Sequence, residues 1–208
     1  MFDPVLRRWV DPSLNRAGAW LAERGAAADA ITLVGLAIGL LAVPLLADEH
    51  YGWALPVILL NRVIDGLDGA LAQQGRGGPT PFGGYLDIVC DMAFYAAVPM
   101  GFALANPANA LWAALLLASF VCTAASFLGR AVMAAQRGET DDGKHGRKAF
   151  FYAGGIIEGT ETIAAFVLFC LFPQAFPWLA GLFAVLCFWT AGARVLAAYR
   201  ANRADEIL

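Results

Sequence analysis

Charge is scarce in this chain of 208 residues. Charged residues make up only 15% of it, against ~25% in an average soluble domain. That shortage excludes an ordinary water-soluble enzyme. An excess of basic charge is also missing. The net charge is −3, so there is no bulk electrostatic case for nucleic acid and no nucleic-acid partner is expected. Cysteine is limited to Cys90, Cys122, Cys170 and Cys187, spread singly with no CxxC. They read as small apolar helix residues, not as a disulfide or zinc framework. The first 30 residues hold no continuous apolar run, so no cleavable signal peptide is expected. Internal repeats and low-complexity tracts are absent as well.

What is present is apolar bulk: 60% of the residues, with a mean hydropathy of +0.62. A membrane-spanning helix needs ~20 residues. Six apolar stretches follow one another at about 31–47, 52–74, 83–105, 109–136, 149–172 and 177–200. The expected fold is therefore an all-α integral membrane protein with six transmembrane helices. Residues 1–30 form a separate N-terminal unit and residues 31–208 the six-helix domain. In the first unit Asp11-Pro12 reads as an N-cap and N1 pair. Leu14, Ala17 and Leu21 continue an apolar stripe, and Arg7, Arg8, Arg16 and Arg24 are interspersed. This predicts an amphipathic helix pair on an anionic leaflet.

The gaps between stretches alternate. Those near 48–51, 106–108 and 173–176 contain no Lys or Arg, whereas those near 75–82 and 137–148 are basic. The positive-inside rule then puts the basic loops, and both termini, on the cytoplasmic side.

The second stretch ends in Asn61-Arg62-Val63-Ile64-Asp65-Gly66-Leu67-Asp68-Gly69-Ala70-Leu71-Ala72-Gln73, and the third opens Gly83-Gly84-Tyr85-Leu86-Asp87-Ile88-Val89-Cys90-Asp91. Asp65 and Asp68 are spaced i, i+3, and Asp87 and Asp91 i, i+4, so each pair shares a helix face. The Gly/Pro-rich segment between them reads as a turn that returns the chain antiparallel, with both pairs near the cytoplasmic boundary. One Asp at a helix centre costs ~2.5–3.5 kcal/mol to insert, and four unpaired ones on the order of 10 kcal/mol at the deep limit. Arg62 is the basic residue on these helices able to face them. Solvation at the interface would account for any one of the aspartates. Four on matched faces, with small residues between, ask for cations. An oxygen-only donor set points to Mg²⁺ or Mn²⁺, and two ions suit phosphoryl chemistry on a diphosphate. Gly66, Gly69, Ala70 and Ala72 leave the helix bare enough for a polar ligand to lie against it.

This string resembles the signature of the CDP-alcohol phosphatidyltransferase family, D-x2-D-G-x2-A-R-x8-G-x3-D-x3-D. Here it reads Asp65-x2-Asp68-Gly69-x2-Ala72-Gln73-x9-Gly83-x3-Asp87-x3-Asp91, 27 residues in all. The six-helix layout with an N-terminal interfacial helix is similar too. The resemblance implies a metal-dependent transferase of phospholipid biosynthesis. It would move a phosphatidyl or phospho-alcohol group from a CDP-linked donor, CDP-diacylglycerol foremost, to a small alcohol, releasing CMP. It implies metal-ligand roles for Asp65, Asp68 and Asp87. Asp91 becomes a further metal neighbour and the general base that takes the acceptor's hydroxyl proton. Thr32, Asp68, Gly69, Ala72, Gln73 and Gly83 become the nucleotide site, and a homodimer is implied. Two departures stand out. Gln73 replaces the family's Arg, with Arg76 or Arg62 as candidates to supply the charge, and the spacer before Gly83 is one residue longer.

Other polar residues fall in the apolar stretches. Arg130 and Arg194 lie at the same level of the fourth and sixth, and Arg147 and Lys148 open the fifth. Together they form a candidate pocket for a phosphorylated acceptor, although anchoring and snorkelling would place basic residues there as well. Glu158 and Glu161 share a face of the fifth stretch, Glu158 ten residues in and roughly 15 Å deep at the helical rise. Intramembrane carboxylates are functional candidates, and both are candidates for the acceptor pocket or for pairing with Arg130 or Arg194. Three other readings compete. An aspartate-rich prenyltransferase usually carries denser DDxxD motifs. A divalent-cation transporter would hold its carboxylates at mid-membrane. A catalytically degenerate family member is made thinkable by Gln73.

Overall fold

Every regular element among the described residues is helical, as a chain in lipid must satisfy its backbone polar groups within the helix ladder. The computed structural model describes residues 3–75, 78–138 and 157–205, with side chains from Val10 to Arg203. The helices are α1 (Asp3–Glu23), α2 (Ala28–Leu40), α3 (Ala42–Ala47), α4 (Tyr51–Gln74), α5 (Pro81–Ala105), α6 (Ala110–Gln136), α7 (Gly159–Leu171) and α8 (Phe176–Asp205).

Four segments are long and apolar enough to cross a membrane: Ala28–Ala47, Pro81–Ala105, Pro107–Gln136 and Pro173–Arg203. They coincide with four of the six expected stretches. The second stretch is α4, whose 24 residues reach about 36 Å at the helical rise. Arg62, Asp65 and Asp68 dilute its hydropathy. The fifth differs more. Its expected start at 149 lies outside the described residues, and the described helix begins only at Gly159 and runs 13 residues.

The N-terminal segment also departs from expectation. A helix pair starting afresh at Asp11-Pro12 is not what forms. α1 is one helix that continues through Pro12. The proline removes one ladder hydrogen bond, but α1 is held along the C-terminal half of α4. A Cβ on Gly18 would come within 2.9 Å of the Ala70 carbonyl carbon, and one on Gly66 within 2.7 Å of Leu14 Cδ1. Gln74 Nε2 donates to the Asn15 carbonyl at 2.6 Å. This tertiary packing overrides the local stop signal.

The other helices close a ring. α2 and α3 each pack on α4 and α5, α5 on α6, α6 on α8, α8 on α7, and α7 back on α4. Aromatic rings fill the centre. Phe94, Phe102, Phe166, Phe169 and Phe176 are fully buried. Phe102 stacks on Phe176 with centroids 4.5 Å apart, and Phe94 meets Phe166 edge-on at 6.1 Å. The outer surface is apolar: Trp53, Leu111, Trp178 and Trp189 are 67–77% exposed. In water such a surface would aggregate, whereas in a bilayer it is the correct one. Trp53, Trp112 and Trp178 lie in the first turn of α4, α6 and α8, and the rings of Trp112 and Trp178 meet at 6.1 Å.

Candidate active site

The site is built at the inner faces of α2, α4 and α5. Thr80 caps α5, its hydroxyl oxygen accepting from Gly83 N–H at 2.9 Å, with Pro81 in the first turn. That cap sets the start of the helix and so the azimuth of Asp87 and Asp91. An oxygen from each of Asp65, Asp87 and Asp91 lies within 4.8 Å of the other two, and all three residues are half-buried. Carboxylates from both expected pairs, on α4 and on α5, thus come together. Asp68 stands outside this trio, one turn along α4. It is 5% exposed, and its Oδ2 takes no hydrogen bond among the described residues. A buried carboxylate oxygen without a donor is costly, and a cation or a ligand donor would relieve it.

Arg62 sits among the acids. Its Nη1 donates to Asp91 Oδ1 at 2.7 Å and lies 3.5 Å from Asp65 Oδ2. Its Nε and Nη2 both donate to Asn61 Oδ1, at 2.8 and 2.6 Å. Asn61 Nδ2 donates to the Gly35 carbonyl at 2.8 Å. The guanidinium also covers the Phe94 ring at 4.7 Å. A chain of hydrogen bonds therefore runs from the α2 backbone through Asn61 and Arg62 to Asp91 on α5. Asn61 is 3% exposed, and sequence reading gave it no role; its signal was a lone amide inside an apolar run. Gly39 makes the space for it, since a Cβ there would lie 2.8 Å from both Asn61 Nδ2 and Phe94 Cδ2. Gly39→Leu is expected to break the Asn61–Gly35 bond and cost about 1–3 kcal/mol. Thermal unfolding in detergent checks this.

A small cavity opens between these helices, lined by Thr32, Gly35, Leu36, Asn61, Arg62, Asp65, Asp68, Cys90 and Asp91. Thr32 is on its wall, its own hydroxyl donating to the Ala28 carbonyl at 3.1 Å. A Cβ on Gly69 would meet nothing within 4 Å, so that backbone is open to a ligand. Gly83 is more crowded: its Cβ would lie 3.1 Å from Thr80 Oγ1 and 3.2 Å from Asp29 Oδ1. Asp29, in the first turn of α2, is a further carboxylate near the α5 start that sequence reading passed over. Ala72 is half-buried and Gln73 exposed. Arg76 lies outside the described residues, and the Arg62 fork is committed to Asn61 and Asp91.

The described acceptor candidates lie on α6, α8 and at the start of α7. Arg194 Nη1 donates to the Thr123 carbonyl at 3.2 Å, bridging α8 to α6, the helix that carries Arg130. Arg147 and Lys148 lie outside the described residues. Glu158 is not ten residues inside a helix: it is the N-cap of α7, in a reciprocal capping box with Glu161. The Glu158 N–H donates to Glu161 Oε2 at 3.0 Å. Satisfying the first-turn donors gives both glutamates a local partner that helical spacing alone did not suggest.

The donor set fits a hard divalent cation. Four aspartates and Arg62 leave the site three charges negative, with carboxylate oxygens converging from two helices. The fold and the site together define a helical membrane protein with an acidic cavity open to a polar ligand. The family model for CDP-alcohol phosphatidyltransferase matches residues 26–193, and the chain belongs to that family. The protein described as inner membrane protein YnjF of Escherichia coli is 48% identical over 200 residues, covering 96% of each chain. The fold matches that of Mycobacterium tuberculosis phosphatidylinositol phosphate synthase (PgsA1) with CDP-DAG bound, at a TM-score of 0.68 and 22% identity over 88% of this chain and 91% of that one. The same synthase in complex with manganese and citrate matches at a TM-score of 0.64 and 22% identity, over 89% and 88%.

Proposed function

We propose that this protein transfers a phosphatidyl or phospho-alcohol group from a CDP-linked lipid, CDP-diacylglycerol foremost, to a small alcohol with release of CMP. The observation that carries the reading is the trio of Asp65, Asp87 and Asp91, with oxygens from two helices within 4.8 Å of one another. Those three, with Asp68 beside them, would hold one or two Mg²⁺ or Mn²⁺ ions. Bound there, the ions supply charge neutralisation of a diphosphate and of departing CMP. The open backbone at Gly69 and the wall at Thr32, with Ala72, Gln73 and Gly83 near the ends of α4 and α5, would accommodate the nucleotide. Asp91 would accept the acceptor's hydroxyl proton, which turns a poor nucleophile into a competent one.

The setting we infer is a bacterial inner membrane, supported by the relative of that description. α4 and the fifth segment would complete six spans, α1 would lie at the interface, and the site would face the cytoplasm. The protein is taken as a homodimer. For the acceptor we favour a phosphate-bearing polyol, bound by Arg130 and Arg194 with Arg147, Lys148, Glu158 and Glu161 nearby; the phosphatidylinositol phosphate synthase fold supports that class.

The test is CMP release from CDP-diacylglycerol by purified protein with Mg²⁺, offered glycerol 3-phosphate, inositol phosphate, serine, choline and inositol in turn. A phosphorylated acceptor is expected to be used best. Release with none of them overturns the reading. With the preferred phosphorylated acceptor, Arg130→Gln and Arg194→Gln are each expected to raise KM about 10–100-fold, the loss of a charge-assisted bond. An unchanged KM in steady-state kinetics would remove both from the pocket.

A further inference from the structure

We infer that Arg62 is a built-in counter-ion: it carries positive charge within the carboxylate trio and, as a positioning residue, ties Asp91 to the fold before any metal arrives. This rests on the reading of Asp65, Asp87 and Asp91 as a divalent-cation site. Besides the acids, two side chains restrain Arg62: an amide that is itself anchored, and a ring. Its Nε and Nη2 are fixed by Asn61 Oδ1 at 2.8 and 2.6 Å. Asn61 is itself anchored on the Gly35 carbonyl at 2.8 Å. The ring of Phe94 lies under the guanidinium at 4.7 Å. A side chain held by an anchored amide and a ring is not a surface arginine that happens to meet an acid. Its remaining Nη1 reaches Asp91 at 2.7 Å and Asp65 at 3.5 Å, one carboxylate from each helix.

The physical need is plain. Three converging carboxylates in a low-dielectric setting repel one another by several kcal/mol at the effective dielectric of a protein interior. A fixed cation makes the metal-free protein viable, and the same cation opposes the incoming ions. Arg62 therefore lends stability to the empty site at the expense of metal affinity. An ammonium cannot copy it, because only a guanidinium forks between Asn61 and Asp91.

The experiment measures thermal unfolding of full-length protein in detergent, in EDTA and across a Mn²⁺ titration. Arg62→Met is expected to melt below wild type in EDTA and to gain more from Mn²⁺, with an apparent Mn²⁺ dissociation constant about tenfold lower. Arg62→Lys keeps the charge and is expected to show a Mn²⁺ gain close to wild type. The double variant Arg62→Met/Asp91→Asn is expected to melt above Arg62→Met in EDTA, because it removes the charge left unopposed. A structural arginine would instead lower both melts equally, and equal Mn²⁺ gains in wild type and Arg62→Met overturn the proposal. If Arg62→Met cannot be recovered folded, recovery of the double variant supports the proposal and its failure overturns it. Absence of any Mn²⁺ gain in wild type would sink the metal reading alone. The EDTA comparison of single and double variants would still judge the ion pair.

Discussion

Asp91→Asn is expected to reduce CMP release about 10²–10⁴-fold, the span over which a positioned general base acts, while the protein still folds. The amide keeps the shape of the carboxylate, and its oxygen can still accept the 2.7 Å bond from Arg62 Nη1. What it loses is basicity and negative charge. In the present structure Asp91 Oδ1 faces Arg62, and its relation to Asp65 and Asp87 is that of an oxygen within 4.8 Å of each. The substitution therefore touches proton acceptance and the ion site together, and two assays separate them. Mn²⁺ binding, followed by the electron paramagnetic resonance signal of free ion, reports on the site. Single-turnover CMP release reports on the reaction. The expected pattern is a modest weakening of Mn²⁺ binding with a far larger fall in turnover. Full activity in Asp91→Asn would remove it from the mechanism.

Asp65→Asn should remove activity as completely as chelation does. Asp65 belongs to α4, whereas Asp87 and Asp91 belong to α5, so it is the only member of the trio that joins the first helix to the second. Without it the remaining two oxygens come from one helix, one turn apart. Stabilisation of developing charge by a bound ion is worth several kcal/mol, roughly a thousandfold in rate. EDTA-treated wild type is expected to fall by that factor and to recover with Mg²⁺ or Mn²⁺. Asp65→Asn is expected to fall likewise and not to recover at millimolar metal. Metal-independent CMP release, in wild type or variant, would contradict this account of the trio.

Much of this site was legible because the residues carry their own spacing. The i, i+3 and i, i+4 pairs lie on predictable faces, and oxygens of Asp65 on α4 and of Asp87 and Asp91 on α5 do gather, with α2 and α3 packed on both helices. What was hidden depends on tertiary choices. Arg62 was recognisable as the neighbouring cation, but nothing in Asn61-Arg62 reveals that the guanidinium forks back onto Asn61 Oδ1, or that Asn61 reaches the α2 backbone past Gly39. At Pro12 a sound local rule for a helix start lost to packing along α4. At Glu158 an apolar stretch suggested a longer helix. The turn is closed instead by a glutamate pair, an unusual version of a box normally opened by Ser or Thr.

In the proposed reaction the phosphatidyl group leaves CMP for the oxygen of an alcohol at the acidic cavity. Phosphorus NMR of CDP-diacylglycerol incubated with the protein, Mg²⁺ and the preferred acceptor tests it in one spectrum. The paired diphosphate signals are expected to decay together, replaced by CMP and one new phosphodiester, only when acceptor and metal are both present. A diphosphate that persists, or one that yields CMP and phosphatidate whether or not the acceptor is added, would contradict it.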